Sequence, residues 1–195
     1  MSRELQTFRF PPDSCIPQAQ PVFAERVTRD SPALHVMTDL TLVRAATIEP
    51  GASIVEAEGE MLHQGVRLLF VVSKMPCIEG IVTLTDLHGS RPMRAVHERH
   101  VRRDDVTVAD VMTPLPELDA VDYASLGRAT VDAVVATLLQ FGRQHLVVVE
   151  GATPTTPPRI RGLISKTQVE RQLGESIGGV EVARSFAEVE RALIE

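Results

Sequence analysis

The sequence has little cysteine, no long apolar run and no excess of positive charge. Its 195 residues contain two cysteines, Cys15 and Cys77, and carry a formal net charge of -6. Two distant cysteines without metal-ligand spacing predict free thiols and neither a disulfide framework nor a zinc site. The acidic charge argues against nucleic acid as a general partner, and no segment reaches the roughly 18 apolar residues that a membrane helix needs. The N-terminus lacks the apolar core of a signal peptide, so we expect a cytoplasmic protein with no membrane partner.

Sequence signatures of catalytic sites are also missing. There is no Walker loop, no Gly-x-Ser-x-Gly turn, no His-Glu-x-x-His helix and no nucleophile with a visible supporting base. We therefore expect no enzyme, no metal and no catalytic cofactor. His97 and His100 have a spacing compatible with one metal ion, but further ligands are not evident. A basic linker helix accounts for them equally well.

What is present is an internal duplication. Three landmarks occur twice in the same order: HVMTD and DVMTP at 35–39 and 110–114, GVRLLFVVS and GRQHLVVVE at 65–73 and 142–150, and GIVTLTD and GLISKTQ at 80–86 and 162–168. Such a repeat predicts two copies of one structural unit. The second copy inserts GATPTTPPRI at 151–160, which predicts an extended hairpin loop.

Each copy has the pattern strand, helix, strand, strand, helix. Apolar spacing predicts a helix over 54–64 that ends at Gly65. The matching segment at 131–141 is apolar nearly all round, which predicts a deeply buried helix. The runs LLFVV and LVVV predict interior strands, and a glycine at 80 and at 162 is expected to open the strand that follows.

The ends and the middle of the chain differ from the two copies in composition. The C-terminal sequence SFAEVERALIE predicts a capped amphipathic helix that docks through Phe186, Val189 and Leu193. The expected organisation is a Pro-rich extended or disordered arm at 1–30, a first domain at 31–89, a basic linker helix at 90–106, a second domain at 107–174 and a tail at 175–195.

The duplicated landmarks resemble those of a tandem pair of CBS domains, often called a Bateman module, over residues 31–174. The resemblance implies an α+β fold of two pseudo-symmetric β-α-β-β-α units packed through their sheets. It also implies two clefts that commonly hold adenosine-containing ligands, and assembly into a homodimer.

By this resemblance, Asp86 is the expected ligand of a ribose, because an ionised carboxylate accepts two hydrogen bonds from a vicinal diol. Arg67 lies where a phosphate-facing side chain is common. The other expected ligand-binding residues of this cleft are Ile81, Thr83, Thr85, Leu118, Tyr123 and Ala124. Three alternatives stay open: Asp86 as a helix cap, Arg67 as a surface charge and Tyr123 as a core residue.

The second copy has Gln168 where the first has Asp86. An uncharged amide loses the charge-assisted part of a ribose hydrogen bond, about 1 to 2 kcal/mol, so binding should be at least about tenfold weaker. The residues of this expected weaker site are Ala46, Gln144, Ser165, Lys166, Thr167 and Gln168.

The function implied is that of a regulatory sensor which binds AMP or ATP and acts in trans on an unknown protein partner. One alternative is a constitutive dimerisation scaffold whose clefts are filled by side chains, and another is binding of an S-adenosyl compound. The five arginines between Ser90 and Asp105 could also attract polyphosphate or a nucleic-acid backbone through their field.

Overall fold

The computed structural model describes residues 26–151 and 157–178, which form two four-stranded sheets with helices packed against them. The predicted helix at 185–195 and most of the predicted arm lie outside the described residues. The strands are β1 (Met37–Asp39), β2 (Thr47–Ile48), β3 (Leu68–Val71), β4 (Gly80–Thr83), β5 (Thr113–Pro114), β6 (Ala120–Asp122), β7 (His145–Glu150) and β8 (Arg159–Ser165). The α-helices of this part of the chain are α1 (Ile54–Gln64), α2 (Leu84–His88), α3 (Arg91–Arg99), α4 (Val108–Val111), α5 (Tyr123–Leu126), α6 (Val131–Gln140) and α7 (Lys166–Leu173).

Each sheet takes three strands from one copy and the first strand, or lead-in strand, of the other copy. The strand orders are β2-β3-β4-β5 and β1-β8-β7-β6. In the first sheet β3 runs parallel to β2 and antiparallel to β4. In the second sheet β7 likewise runs parallel to β6 and antiparallel to β8. β1 is the lead-in strand of the first copy but pairs with β8, and β5 is the lead-in strand of the second copy but pairs with β4. The predicted α+β fold of two pseudo-symmetric units is confirmed.

A shared apolar cluster lies between the two copies. Leu68 and Phe70 of β3 are buried in it together with Ile81, and Leu118 and Leu163 of the second copy pack against them. Every residue of β3 is buried, as the apolar run LLFVV predicts for an interior strand. Each copy also has its own core beneath its helices. The two units are therefore packed through their sheets.

The predicted helix over 54–64 is confirmed as α1. Ser53 and Glu56 form a capping box, in which the Ser53 N–H donates to the Glu56 carboxylate at 2.7 Å. Gly65 ends the helix with a φ of 66°, in the left-handed region that glycine adopts without strain.

The prediction that the second-copy helix is deeply buried is wrong. Only one side of α6 meets the sheet, through Val131, Val134, Val135 and Leu138. Leu139 is 46% exposed, and Phe141, just beyond the helix, is 50% exposed. Apolar residues on every side of a helix do not determine how many of those sides pack against other elements of the fold.

The inserted segment of the second copy also differs from expectation. Arg159 and Ile160, predicted as loop, begin β8, while 152–156 lie outside the described residues. Gly80 opens β4 as expected, but Gly162 lies inside β8 and does not open it.

Residues 26–30, expected to belong to the arm, are held by the second copy. Val27 is buried and its N–H donates to the Gln172 carbonyl at 3.1 Å. Arg29 forms 2.7 Å ion pairs with both Asp132 and Glu175. The described chain therefore enters the fold before residue 31.

Within 26–151 and 157–178, no helix is both long and apolar enough to cross a membrane.

Candidate ligand clefts

The side chains of Thr83 and Asp86 stabilise the start of α2. Asp86 Oδ2 accepts hydrogen bonds from the Thr83 N–H at 2.9 Å and from Thr83 Oγ1 at 2.6 Å, which completes a capping box. Arg91 of α3 places Nη1 3.4 Å from Asp86 Oδ1. The carboxylate therefore has the capping role left open above, and both of its oxygens have protein partners. Its role as a ribose ligand stays a prediction.

The structure does not bring the other residues of the first predicted cleft into one cavity. Ile81 and Leu118 contribute to the apolar cluster between the copies. Tyr123, followed by Ala124 in α5, has the guanidinium of Arg161 over its ring at 4.9 Å from the centroid. Thr85 and Arg67 line a cavity of about 350 Å³ that also includes Gln144 and Thr167. That cavity lies between equivalent positions of the two copies.

A second cavity, of about 380 Å³, is the cleft that Gln168 helps to close. We call it the arginine cleft. It lies between the segment after β1, the start of β3 and the junction of β8 with α7. Its lining residues are Thr38, Leu40, Val43, Arg44, Ala45, Ala46, Gln64, Gly65, Val66, Arg67, Leu68, Phe70, His145, Leu163, Ser165, Thr167, Gln168 and Arg171. Four residues of the predicted weaker site are in this set: Ala46, Ser165, Thr167 and Gln168.

The other two predicted residues of that site lie beside the arginine cleft. Gln144 lines the adjoining 350 Å³ cavity, and its carbonyl accepts a 2.9 Å hydrogen bond from the Lys166 N–H. The Lys166 ammonium is directed along α7, 4.0 Å from Glu170. The structure thus separates these two side chains from the four that line the cleft itself.

The arginine cleft is positively charged. Arg44, Arg67 and Arg171 line it, and its lining includes no carboxylate. Among the described residues, no acidic side chain pairs with any of these three arginines. Guanidinium groups form paired hydrogen bonds with phosphate and remain charged at every physiological pH. The cleft is therefore suited to an anionic ligand.

Two of these arginines were not identified from the sequence. Arg44 lies in the segment between β1 and β2, and Arg171 lies one helical turn after Thr167 in α7. Both are outside the duplicated landmarks. The i, i+4 spacing of Thr167 and Arg171 places them on one helix face, and that spacing was the available signal for Arg171.

His145 lies between the two cavities and lines both. Its Nδ1 is buried and has no hydrogen-bond partner among the described residues. Burial lowers the pKa of His145 to about 4, the Asp86 charge opposes this shift, and Arg67 adds to it. The imidazole is therefore neutral at pH 7 and leaves the charge of the cleft to its arginines.

A third cavity, of about 730 Å³, is lined by residues of the first copy, along α1 and just after β3. Glu49, Glu56 and Glu60 line it, so its charge is opposite to that of the arginine cleft.

No protein-family model and no curated protein matches the chain. Solved structures do. CBSX2, a CBS-pair protein of Arabidopsis thaliana solved in complex with AMP, is 18% identical with a TM-score of 0.52, over 72% of this chain and 94% of that one. An uncharacterized conserved protein from Pyrococcus horikoshii is 17% identical with a TM-score of 0.51, over 73% of this chain and 92% of that one. The exchanged strands, the two sheets and these similarities together show that the chain has the fold of a tandem CBS-domain pair.

Proposed function

We propose that the chain is a regulatory module that binds an adenine nucleotide, AMP or ATP, in the arginine cleft. The observation that carries the proposal is the convergence of Arg44, Arg67 and Arg171, without a carboxylate, on a cleft in a CBS-pair fold. The similar protein CBSX2 has been solved with AMP. The cleft assigned as weaker from the sequence thus becomes the better candidate.

The lining of the arginine cleft offers partners for each part of a nucleotide. The arginines would hold phosphate, and Ser165, Thr167 and Gln168 would offer polar groups to a ribose. Leu40, Phe70 and Leu163 provide apolar surface for a base. A cationic S-adenosyl compound fits less well, since three arginine charges would oppose its sulfonium.

The regulatory output would pass in trans to a protein partner or a second copy of the chain, in the cytoplasm. A ligand shifts such an equilibrium only by as much as its affinity differs between the two states. This function involves no catalysis, no nucleic acid and no membrane.

The test is a thermal-shift and calorimetry series with AMP, ADP, ATP and S-adenosylmethionine. A ligand at a hundred times its dissociation constant adds about 2.7 kcal/mol to the folded state. For a chain of this length the midpoint should rise by roughly 5 to 10 °C. Arg171→Ala and Arg44→Ala should each weaken nucleotide binding by about tenfold or more, since each removes a charged hydrogen-bond donor to phosphate.

Arg94→Ala is the matched control, because Arg94 is exposed on α3 and lines none of the three cavities. It should leave binding unchanged. Asp86→Ala tests which of the two clefts binds the nucleotide. If Asp86→Ala loses binding and Arg171→Ala retains it, the nucleotide binds in the first predicted cleft. No shift with any nucleotide would contradict the proposal.

A second candidate function is a constitutive scaffold. The packing of Ile81 and Leu118, two expected residues of the first predicted cleft, in the apolar cluster between the copies favours it. If the chain is a scaffold, its assembly with a partner should be the same with and without each nucleotide of the series.

A further inference from the structure

The described chain ends beside an exposed apolar surface on α6. After α7 the backbone reverses at Gly174, and the Ile177 N–H donates to Glu170 Oε1 at 2.8 Å, so the chain runs back along α7. Ile177 is buried in the core of the second copy. A side-chain carbon on Gly178 would lie 3.2 Å from Leu139 Cδ2 and 3.7 Å from Lys166 Nζ. The described chain therefore ends, at Gly178, next to the C-terminal end of α6.

This surface carries several exposed apolar side chains close together. Ala133, Ala136 and Leu139 lie along the exposed side of α6 at helical spacing, and the half-exposed Phe141 follows. The two small residues allow a second helix to approach α6 closely. We call these four residues the α6 patch.

The remaining sequence has the length and pattern to cover the α6 patch. Seven residues lie between Gly178 and Phe186, so the eight steps from one to the other reach up to about 26 Å, and α6 itself is about 15 Å long. The segment from Phe186 to Glu195 would form a helix of matching length. An isolated helix this short is marginal in water and needs an apolar surface on which to bury one face.

Charge favours the same arrangement. The 17 residues after Gly178 contain four glutamates and two arginines. Lys166 lies beside Gly178, and its distance of 4.0 Å from Glu170 leaves its ammonium available to a second carboxylate. An acidic segment is attracted to this position.

We propose that the C-terminal segment of this chain, residues 179–195, docks as an amphipathic helix on the α6 patch through Phe186, Val189 and Leu193. The α6 patch is then an intramolecular interface. This inference is independent of the proposed nucleotide function, because no residue of the α6 patch lines the arginine cleft.

Hydroxyl-radical footprinting of the full chain tests the docking, with oxidation of Leu139 and Phe141 as the readout. In the unaltered chain both side chains should be protected. In the double variant Phe186→Glu, Leu193→Glu, their oxidation should rise several-fold. Buried Phe70 and exposed Leu42 serve as internal references whose oxidation stays constant.

Arg191→Glu is the matched control. It changes the net charge by the same amount as the double variant, but on the opposite side of the predicted helix. Its oxidation pattern should equal that of the unaltered chain. Equal oxidation of Leu139 and Phe141 in all three proteins would overturn the proposal. Protection that persists in the double variant and disappears on about a hundredfold dilution would also overturn it, because a second copy would then be the occupant.

Discussion

Arg161 is the residue that ties the first lead-in strand to the second copy. It lies on β8, and its Nη2 and Nε donate to Asp39 of β1 at 2.7 and 3.1 Å. Its Nη1 donates to Glu150 at 3.2 Å, and its guanidinium lies over Tyr123. Hydrogen bonds from Arg161, followed by those from Thr41, hold the pKa of the Asp39 carboxyl well below its usual range. These contacts order the strand that leads into the lining of the arginine cleft.

The pKa of Asp39 predicts a pH dependence of stability. A carboxyl whose pKa is lowered by folding stabilises the fold above its ordinary pKa of about 4, and the contribution is lost as the pH falls further. Asp39→Asn should therefore lower the melting temperature at pH 7, and the difference from the unaltered chain should shrink towards about pH 3. Thermal melts at both pH values measure it. Asp119→Asn, which removes a more exposed partner of Arg143, should have little effect at either pH.

His145 predicts a second pH dependence, at higher pH. Its folded pKa of about 4 lies below the ordinary value of 6.5, so the folded state loses stability as the pH falls from 6.5 towards 4. The change corresponds to on the order of 3 kcal/mol. His145→Leu, which copies Leu68 at the equivalent position, should remove this part of the slope. Urea unfolding at several pH values measures it, and a slope that His145→Leu leaves unchanged would contradict the assignment. The exposed-site control His97→Leu should retain the slope.

Residues at the junction of strand and helix could be located from the sequence, because the duplicated motif marks both ends of the junction. Thr83 and Asp86 do lie at the start of α2, and Ser165 and Thr167 lie at the start of α7. Arg44 could not be located, because it reaches the arginine cleft only through the exchange of β1. A sequence repeat shows which segments of the two copies are equivalent. It does not show in which copy's sheet each strand pairs.

At the scale of elements, two glycines allow each lead-in strand to lie against the other copy. A side-chain carbon on Gly80 would collide with the carbonyl oxygen of Thr113 in β5. A carbon on Gly162 would lie 2.7 Å from the sulfur of Met37 and 2.8 Å from the Thr38 carbonyl oxygen in β1. The duplicated glycines are thus explained by close approach of a strand, and neither needs an unusual backbone angle.

Gly80→Ala should destabilise the protein by about 1 to 3 kcal/mol, because the backbone of β5 must shift to make room for the methyl group. Gly59→Ala is the opposite case, since Gly59 lies inside α1 with nothing within 4 Å of the added carbon. It should stabilise the protein by about 0.5 to 1 kcal/mol. Urea midpoints at constant m-value measure both changes. A neutral Gly80→Ala would contradict close packing of β5 on β4.

The sequence predicts whether a segment forms a helix or a strand better than it predicts which other elements that segment packs against. The capped helix α1 and the interior strand β3 follow from local pattern, and both are confirmed. The exposed side of α6 could not be predicted, because its apolar character is local and its neighbours are set by the tertiary fold. The start of β8 at Arg159 was missed because proline and threonine precede it in the sequence.

At the scale of the whole molecule, the exchange of β1 and β5 makes the two copies one cooperative unit. Each sheet is complete only when both copies are folded. The shared cluster between the copies adds a second link, since Leu68 of the first copy and Leu163 of the second pack in it together. Unfolding of one copy alone would expose both an unpaired sheet edge and an apolar face.

Val71 and Val148 offer a matched test of this cooperativity. Both are fully buried, and they occupy equivalent positions opposite Gly80 and Gly162. Val71→Ala and Val148→Ala should each lower the unfolding free energy by about 2 to 3 kcal/mol. Tyr123, the single tyrosine, reports on the second copy through its fluorescence. Its urea transition should shift in Val71→Ala as much as the far-UV circular dichroism does. A Tyr123 transition unmoved by Val71→Ala would show that the copies unfold separately.

The strand exchange has the geometry of a swapped dimer whose two subunits have been joined into one chain. A half-chain with its own lead-in strand carries both an open sheet edge and the strand that fills the same edge in a twin. Duplication of a gene for such a half preserves every backbone pairing while releasing each copy from the sequence of the other. The divergence of Asp86 and Gln168, and of Leu68 and His145, is what that freedom permits: equivalent positions of one scaffold with different chemistry.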